Sequence, residues 1–453
     1  MSSRRDFIKQ SAVLAAGAFL TNNNFGLHIL NKPKVIILGA GLSGLAAGKL
    51  LKENGYDITI LEARNRTGGR VFSHTMNEAN KITIELGGEW IGRTHPRMIA
   101  LCKEMNLELI DNQFDDRLIY EDKYFQPDQW DFSPEWNVKF EKIIADYATM
   151  TDDQKIVLDK MDWWRFLKNN DISQRDLDLR EYSDSTDFGE SIRFVSAYAA
   201  LAEYAESDTE NEMDYKIKGG NSRLPFAMAD KIGLNNIKLN TKVTEVDYGN
   251  KVKIKTAGGE TFECDKLICT LPTFAMSKIK WNPIFSNDKI EAINALQYSR
   301  INKAATLFTE KFWKDESFSI VTDTFSHYFY HGSKFQDESK GVLISYSIGD
   351  KADMMSRLTK KEQEDTIAGS LTTAFGDVRN LIDKNVNYYW GLDEHTMGAY
   401  ALYGKGQWFS LMPVLREKLT NVHFAGEHIA DWQGFMEGAV ESGEDAAKQI
   451  MGS

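Results

Sequence analysis

Two places in this 453-residue chain carry residue types whose spacing could do chemistry. The first is Gly39-Ala40-Gly41-Leu42-Ser43-Gly44, which follows the apolar run 34–38 (KVIIL) and opens a helical pattern reaching about Asn54. In that order Gly39 makes a tight turn, Gly41 leaves room for a pyrophosphate and Gly44 lets helix and strand pack closely. The helix N-terminus, with Ser43 in its first turn, offers free N–H groups to an anion. A second apolar run, 57–61, ends at Glu62, an acid placed to accept hydrogen bonds from an adenosine ribose and unsuited to a 2′-phosphate. The ligand class implied is a dinucleotide. The second place is Lys303. Ile301, Lys303, Ala305 and Leu307 alternate with Asn302, Ala304, Thr306 and Phe308, so in a strand the first set shares one face and Lys303 is an ammonium on an apolar surface. It is either a buried lysine with a purpose or one that snorkels from a sheet edge.

The elements that must position these residues belong to an ordinary soluble chain. With 42% hydrophobic and 26% charged residues, two or three globular domains fit, and disorder or a polytopic membrane protein does not. A net charge of -12 repels phosphate backbones and anionic lipid, which excludes nucleic acid as a partner. Cys102, Cys264 and Cys269 are too few for a disulfide framework and read as free and buried, the last two on opposite faces of one strand-like run. His327 and His331 stand four apart in another such run, about 13 Å, too far for one metal. There is no nucleophile elbow, P-loop or metal-binding cysteine cluster, so no metal is expected.

Glu62-Ala63-Arg64-Asn65-Arg66-Thr67-Gly68-Gly69-Arg70 resembles the E-A-R-x-R-x-G-G-R run of the flavin-dependent amine oxidase family, relatives of monoamine, polyamine and L-amino-acid oxidases. The resemblance implies FAD, with Gly68, Gly69 and Arg70 at its diphosphate and Arg64 among the cofactor-binding residues. It continues in Glu85-Leu86-Gly87-Gly88-Glu89-Trp90-Ile91-Gly92, the segment that in the family lies against the flavin ring, and in Lys218–Pro225 and Leu239–Val243, where Val243 would reach the adenine through its backbone. The C-terminal runs 423–428 (HFAGEH) and 434–443 (GFMEGAVESG) match most strongly. There Glu427 would meet the ribityl-diphosphate region and the Met436 amide the flavin pyrimidine edge. Lys303 stands ten residues before Trp313 of a Phe-Trp pair, as does the family lysine that holds a water against the flavin N5. Trp390 and Tyr400 have the family spacing for an aromatic near the flavin and one wall of the substrate cage, with Phe435 as the opposite wall. Ala399 stands where some monoamine oxidases carry the cysteine that binds flavin covalently, so the resemblance implies noncovalent FAD.

The interrupted match implies an α/β protein: a Rossmann-like (GR2-type) FAD-binding domain from residues 33–93, 215–281 and 399–453, and a discontinuous α+β substrate domain from 94–214, mainly helical, and 282–398, sheet-rich. Ser133-Pro134 reads as cap and first turn of a helix burying Trp136, Phe140, Ile143, Ile144 and Tyr147. Residues 1–32 read as signal and linker. Arg4-Arg5 before a short apolar stretch resembles a twin-arginine export signal, which implies passage through the twin-arginine (Tat) translocase to the periplasm without a stable membrane anchor. A basic amphipathic helix is the alternative. The activity expected from the resemblance is oxidation of an amine to an imine, with dioxygen reduced to hydrogen peroxide. An L-amino-acid oxidase, which would need Arg93 or Arg97 for the substrate carboxylate, remains open, as do a flavin-using isomerase and a non-catalytic flavoprotein.

Overall fold

The apolar run before the glycines is the fully buried strand β1 (Val35–Leu38) of the computed structural model, which describes residues 32–79, 81–207, 213–336 and 339–452. The twin-arginine segment lies outside these residues. After β1 come α1 (Leu42–Glu53), β2 (Ile58–Leu61), the hairpin of β3 (Ser73–Asn77) and β4 (Ile82–Glu85), then α2 (Pro96–Glu104) and β5 (Leu109–Asp111). The strands β6 (Asp115–Tyr120) and β7 (Lys123–Phe125) precede five helices: α3 (Pro134–Tyr147), α4 (Asp152–Asp159), α5 (Trp163–Asn169), α6 (Gln174–Phe188) and α7 (Ala197–Glu206). The chain returns through β8 (Tyr215–Ile217), α8 (Arg223–Ile232) and β9 (Ile237–Lys238) to β10 (Val243–Tyr248), β11 (Val252–Thr256), β12 (Thr261–Cys264) and β13 (Lys266–Cys269). Next are α9 (Thr273–Ser277), β14 (Lys280–Asn282), α10 (Asn287–Ala295) and β15 (Gln297–Tyr298). These lead into β16 (Ile301–Phe308), β17 (Phe318–Thr322), β18 (Tyr328–His331) and β19 (Gly341–Ile348), followed by α11 (Gly349–Arg357), α12 (Lys360–Phe375) and β20 (Ile382–Tyr389). The last elements are β21 (Ala401–Leu402), α13 (Trp408–Arg416), β22 (Val422–Phe424) and α14 (Met436–Met451).

Two sheets carry the molecule. A parallel sheet runs β22-β13-β1-β2-β9, with its strands drawn from three separated parts of the chain, and a mixed seven-stranded sheet runs β20-β16-β19-β18-β17-β6-β7. The interleaved α/β architecture is therefore present. Both faces of β16 are buried. Ile301, Ala305 and Leu307 join a core with Tyr328, Tyr330 and Tyr346, while Ala304 and Phe308 pack on Met355 of α11 and Ile367 and Leu371 of α12. Lys303 is thus on the first, apolar face, in the middle of the sheet and not at its edge.

Several expectations shift. Met98, Leu101 and Cys102 of α2 pack with the parallel-sheet core, and β5 pairs with β8, so packing of the first unit runs beyond residue 93 to Asp111. Residues 94–214 carry the helices α2 to α7 and also supply β6 and β7 to the large sheet. Cys264 and Cys269 do not share a strand: the run breaks at Asp265, leaving Cys264 at the end of β12 and Cys269 at the end of β13. All three cysteines are free and buried. Helix α3 buries Trp136, Phe140, Ile143 and Tyr147, but the Ser133 hydroxyl donates to Asp176 (2.5 Å) and does not cap it. No helix among the described residues is long and apolar enough to cross a membrane.

Candidate active site

The turn from β1 into α1 is built for close backbone contact. Gly39 has φ +99°, and a Cβ on Gly44 would stand 2.0 Å from the Gly39 carbonyl oxygen, so Gly44 packs behind the turn. A Cβ on Gly41 would meet nothing within 4 Å, because Gly41 borders a cavity of about 700 Å³. Helix α1 has no side-chain cap and no acid in its first turn, which leaves its N–H groups and positive dipole end to the cavity. The Ser43 hydroxyl borders the same space and is buried without a hydrogen-bond partner among the described residues. A second uncapped N-terminus, that of α14 with Phe435 at its cap position, borders the cavity through Met436. At the end of β2 the Glu62 carboxylate accepts from the amides of Ala40 (2.7 Å) and Arg64 (2.8 Å), which fixes it and leaves lone pairs for further donors. Uncapped helix ends, an orphaned hydroxyl, room at Gly41 and an acid beyond β2 fit the diphosphate and ribose of FAD.

Arg64 and Arg70 are each tied to a carboxylate. The Arg64 guanidinium is committed to a bidentate pair with Asp393 (2.6 and 3.0 Å), which holds the Asp393 carboxyl well below the usual carboxylate range. Arg64 borders the cavity, but its role is to tie the turn after β2 to the segment after β20. Arg70 donates through Nη1 to Glu427 and to the Ala399 carbonyl (2.6 Å), so the two residues expected at the diphosphate form an ion pair. The Nε and Nη2 groups of Arg70 donate to no protein acceptor among the described residues. Glu427 also accepts from the amides of Ala401 (3.2 Å) and Gly434 (3.0 Å), pinning three segments together.

At the other end of the cradle Lys303 is 3% exposed and its ammonium is fully partnered. It donates to the carbonyls of Gly87 (3.0 Å) and Glu85 (3.4 Å) and to Glu89 Oε2 (3.1 Å). The Trp90 ring lies 5.2 Å away. Glu89, expected only as part of the segment against the ring, is therefore the counter-ion of Lys303. The same oxygen accepts from the Tyr330 hydroxyl (2.5 Å), and Glu89 Oε1 is 4.0 Å from Lys216 Nζ. Burial, with the Glu89 charge as second cause, pushes Glu85 up to about 7. Gly87 and Gly88 bring the strand end close, since a Cβ on Gly87 would stand 2.0 Å from the Arg70 carbonyl oxygen. Trp390 donates from Nε1 to the Leu86 carbonyl (2.7 Å), fixing the same segment.

The Tyr400 hydroxyl donates to the Asp187 carbonyl (2.7 Å) and is 3.4 Å from the Tyr346 hydroxyl. Phe435 touches His95 (5.2 Å between centroids) and Trp432 (5.7 Å). No ring contact joins Tyr400 and Phe435 among the described residues, and both border the cavity. Val243 borders it at the head of β10. Every residue expected at the site borders this one cavity except Gly44. Arg93 and Arg97 do not, and each is paired, with Asp214 (2.9 Å) and Glu444 (2.9 Å). Among the described residues no group of side chains could hold a metal ion.

Sequence reasoning missed the part of the lining supplied by Phe114, Asp116, Trp130, Phe132, Arg180 and Tyr328. A signal existed only for Asp116, which alternates with Leu118 on β6, and the neighbouring charges hid it.

A dinucleotide cradle continuous with a lysine-bearing, aromatic-walled chamber defines a flavin-dependent oxidoreductase. The family model described as flavin containing amine oxidoreductase matches residues 42–451, and the chain belongs to that family. It is 26% identical over 457 residues to human amine oxidase [flavin-containing] B, covering 93% of this chain and 86% of that protein. The Bos taurus B enzyme is 27% identical over 460 residues, covering 93% and 86%. Among solved structures, putrescine oxidase bound to putrescine superposes with a TM-score of 0.83 at 22% identity, covering 93% of this chain and 99% of that one. Cyclohexylamine oxidase from Brevibacterium oxydans IH-35A gives 0.83 at 23%, covering 92% and 98%. The protein is a flavin-dependent amine oxidoreductase.

Proposed function

We propose that this chain is an exported FAD-dependent amine oxidase that converts a primary or secondary amine to an imine, hydrolysed to an aldehyde or ketone, while dioxygen is reduced to hydrogen peroxide. The observation that carries the reading is one cavity joining the uncapped helix ends to Lys303 and then to an arm bordered by Asp116, Asp187 and Glu203. FAD, when bound, supplies the two-electron chemistry. The chain supplies position and charge. The Gly87 carbonyl and Glu89 fix the Lys303 ammonium in the cavity lining, where, with FAD bound, it would stabilise negative charge. Tyr400 and Phe435 border the approach and orient the amine. The acidic arm favours a cationic substrate over a carboxylate. Arg180, the arginine that borders it, already faces Asp184 (3.3 Å), which speaks against an amino-acid substrate.

Ala399 has no thiol, so FAD is held noncovalently and leaves with acid or denaturant. Arg4 and Arg5 direct the folded, FAD-loaded protein through the twin-arginine route to the periplasm. The deciding experiment mixes purified protein anaerobically with a panel of amines and amino acids, then admits oxygen. Amines should bleach the flavin and yield one peroxide per turnover. Bleaching by amino acids alone would favour the amino-acid oxidase, and no bleaching at all a silent flavoprotein. Replacing Arg4 and Arg5 by Lys should retain the protein in the cytoplasm, and undiminished export would remove the signal from this reading.

A further inference from the structure

We propose that Lys216 and Glu89 form a relay that carries protons from a second, outer cavity through the wall of the cofactor cavity to Lys303. The inference rests on the oxidase reading above and says how the proton that reading requires is delivered.

The outer cavity, of about 520 Å³, is bordered by the exposed residues Lys81, Lys218 and Phe335, so it opens to solvent. It is also bordered by Glu85 and Lys216, which are both buried and do not border the cofactor cavity. The segment 85–89 is the partition between the two spaces. Glu85 borders the outer one, Gly87, Gly88 and Glu89 border the inner one, and the carbonyls of Glu85 and Gly87 hold the Lys303 ammonium.

Glu89 spans this partition. Its Oε2 accepts from Lys303 (3.1 Å) and Tyr330 (2.5 Å) on the inner side. Its Oε1 is buried, has no hydrogen-bond partner among the described residues and lies 4.0 Å from Nζ of Lys216, a gap that a rotation of either side chain closes. Lys216 donates to the Gly332 carbonyl (3.1 Å) and to no other acceptor among the described residues. Lys216, Glu89 and Lys303 thus run from one cavity to the other, with a spare donor facing an open acceptor midway. A partition built only for support would be apolar, since burying charge is costly. The groups around Lys216 decide how readily it releases a proton. Burial acts most strongly, Glu89 and Glu85 oppose it, and Lys334 and Lys303 add to it, so the Lys216 pKa lies below the ordinary lysine value. Lys334 is itself paired with Asp111, burial holds His331 down to about 4 and therefore neutral, and Glu85 is fixed by Ser73 (2.8 Å) and the Asn221 amide (2.8 Å).

The reaction needs such a path. A neutral amine that gives up hydride leaves as an iminium, so one amine, one dioxygen and one proton give one iminium and one hydrogen peroxide. Dioxygen that has taken up two electrons and one proton is the hydroperoxide anion, and the missing proton comes from solvent. Lys303 gives it, an N–H bond breaking as the O–H bond forms. Glu89, protonated at Oε1 by Lys216, turns its carboxyl and restores the proton to Lys303, and water in the outer cavity recharges Lys216.

The test mixes holoprotein, reduced anaerobically by light, with dioxygen in stopped flow and compares the parent with Lys216→Met, Lys216→Arg and Lys216→Cys. Arg keeps the charge but does not release a proton, so it rescues a structural lysine and not a relay. Lys216→Met and Lys216→Arg should both bind FAD, bleach with amine and reoxidise at least about tenfold more slowly. The parent rate should fall as pH rises through the lowered Lys216 pKa, and that step should vanish in both variants. Flavin content checks folding, and Lys216→Arg decides where Lys216→Met does not fold. A readout free of turnover is labelling of Lys216→Cys with 2-bromoethylamine while FAD is bound, followed by mass spectrometry. Because Cys102, Cys264 and Cys269 are buried, one adduct should form, through the outer cavity, and the lysine-length amine so made should restore the rate. If Lys216→Arg matches the parent, if Lys216→Met leaves rate and pH profile unmoved, or if no adduct forms, the relay is wrong and the oxidase reading stands wherever the parent yields peroxide. If the reduced parent reacts with benzoquinone, which also takes up two electrons and two protons, but not with dioxygen, the oxidase reading fails and the same comparison with benzoquinone decides the relay.

Discussion

The diphosphate end of the cavity and its substrate arm are made from opposite materials. At the first, recognition is done by backbone: two uncapped helix N-termini, a turn in which Gly44 packs on the Gly39 carbonyl and Gly41 leaves open space, and amides gathered on Glu62 and Glu427. The second is lined by side chains projecting from the large sheet, from α6 and from the segment before α3, among them Asp116, Tyr346, Arg180 and Trp130. Backbone recognition tolerates almost no change, because an added methyl meets a carbonyl. Side-chain recognition can be rewritten residue by residue while the sheet beneath stays put. The two ends divide the labour between holding a fixed cofactor and choosing a substrate.

That contrast can be broken most severely at Gly44. An Ala there places its Cβ against the Gly39 carbonyl, at 2.0 Å before any shift, and should cost roughly 3 kcal/mol and most of the bound FAD. Flavin stoichiometry of the purified variant measures it, and full occupancy would mean the cradle is softer than its geometry implies. Next in size is Lys303→Met, which should slow reoxidation of the reduced protein by about ten- to a thousandfold in stopped flow. It also leaves Glu89 buried without its closest cation, at roughly 3 kcal/mol, so adding Glu89→Gln should recover stability in denaturant while the rate stays low. Recovery of both would make Lys303 a structural partner of Glu89 and nothing more.

Smaller effects separate the arm from the cradle. Tyr400→Phe removes a hydroxyl bonded to the Asp187 carbonyl and should cost about 1 kcal/mol, with full flavin content and a lower kcat/KM for amines. Smallest at neutral pH is the titration of Asp393. Because its folded-state pKa is depressed, the Arg64 pair contributes stability that is complete above the unfolded carboxylate pKa of about 4 and is lost as pH falls below it. Acid denaturation followed by flavin release should be shallower in Asp393→Asn, and an unchanged acid limb would show that the pair does not report on the cradle.

How much of this was legible follows from the same contrast. The cradle announces itself because backbone recognition requires glycines at fixed offsets between a strand and a helix, and Gly39, Gly41 and Gly44 all stand where the turn needs them. The arm does not, because its residues come from β6, α6 and the segment before α3, and their meeting depends on sheet order. The charges of Asp115, Asp116 and Arg117 masked a strand within residues 94–214, which were read as mainly helical. Lys303 could be placed on an apolar face from alternation alone, but its counter-ion could not, since Glu89 arrives from a distant segment. Arg70 could be matched to an anion by type, while its pairing with Glu427 and that of Arg64 with Asp393 are tertiary facts. The strand-like stretch 261–269 is divided between two sheets at Asp265, a break that alternation along the chain does not reveal.

The packing of α14 on α1 also fixes an order of events in the cell. A Cβ on Gly443 would lie 2.1 Å from the Ser43 carbonyl oxygen, so these helices touch along their backbones although they come from opposite ends of the described chain. During synthesis α1 emerges early and waits, its apolar stripe of Leu42, Leu45 and Ala46 uncovered, until α14 leaves the ribosome. Contacts of such long sequence separation form slowly. The nascent chain thus passes through a sticky stage that chaperones must shield, and the cofactor meets a finished binding site only once translation of the last helix is over.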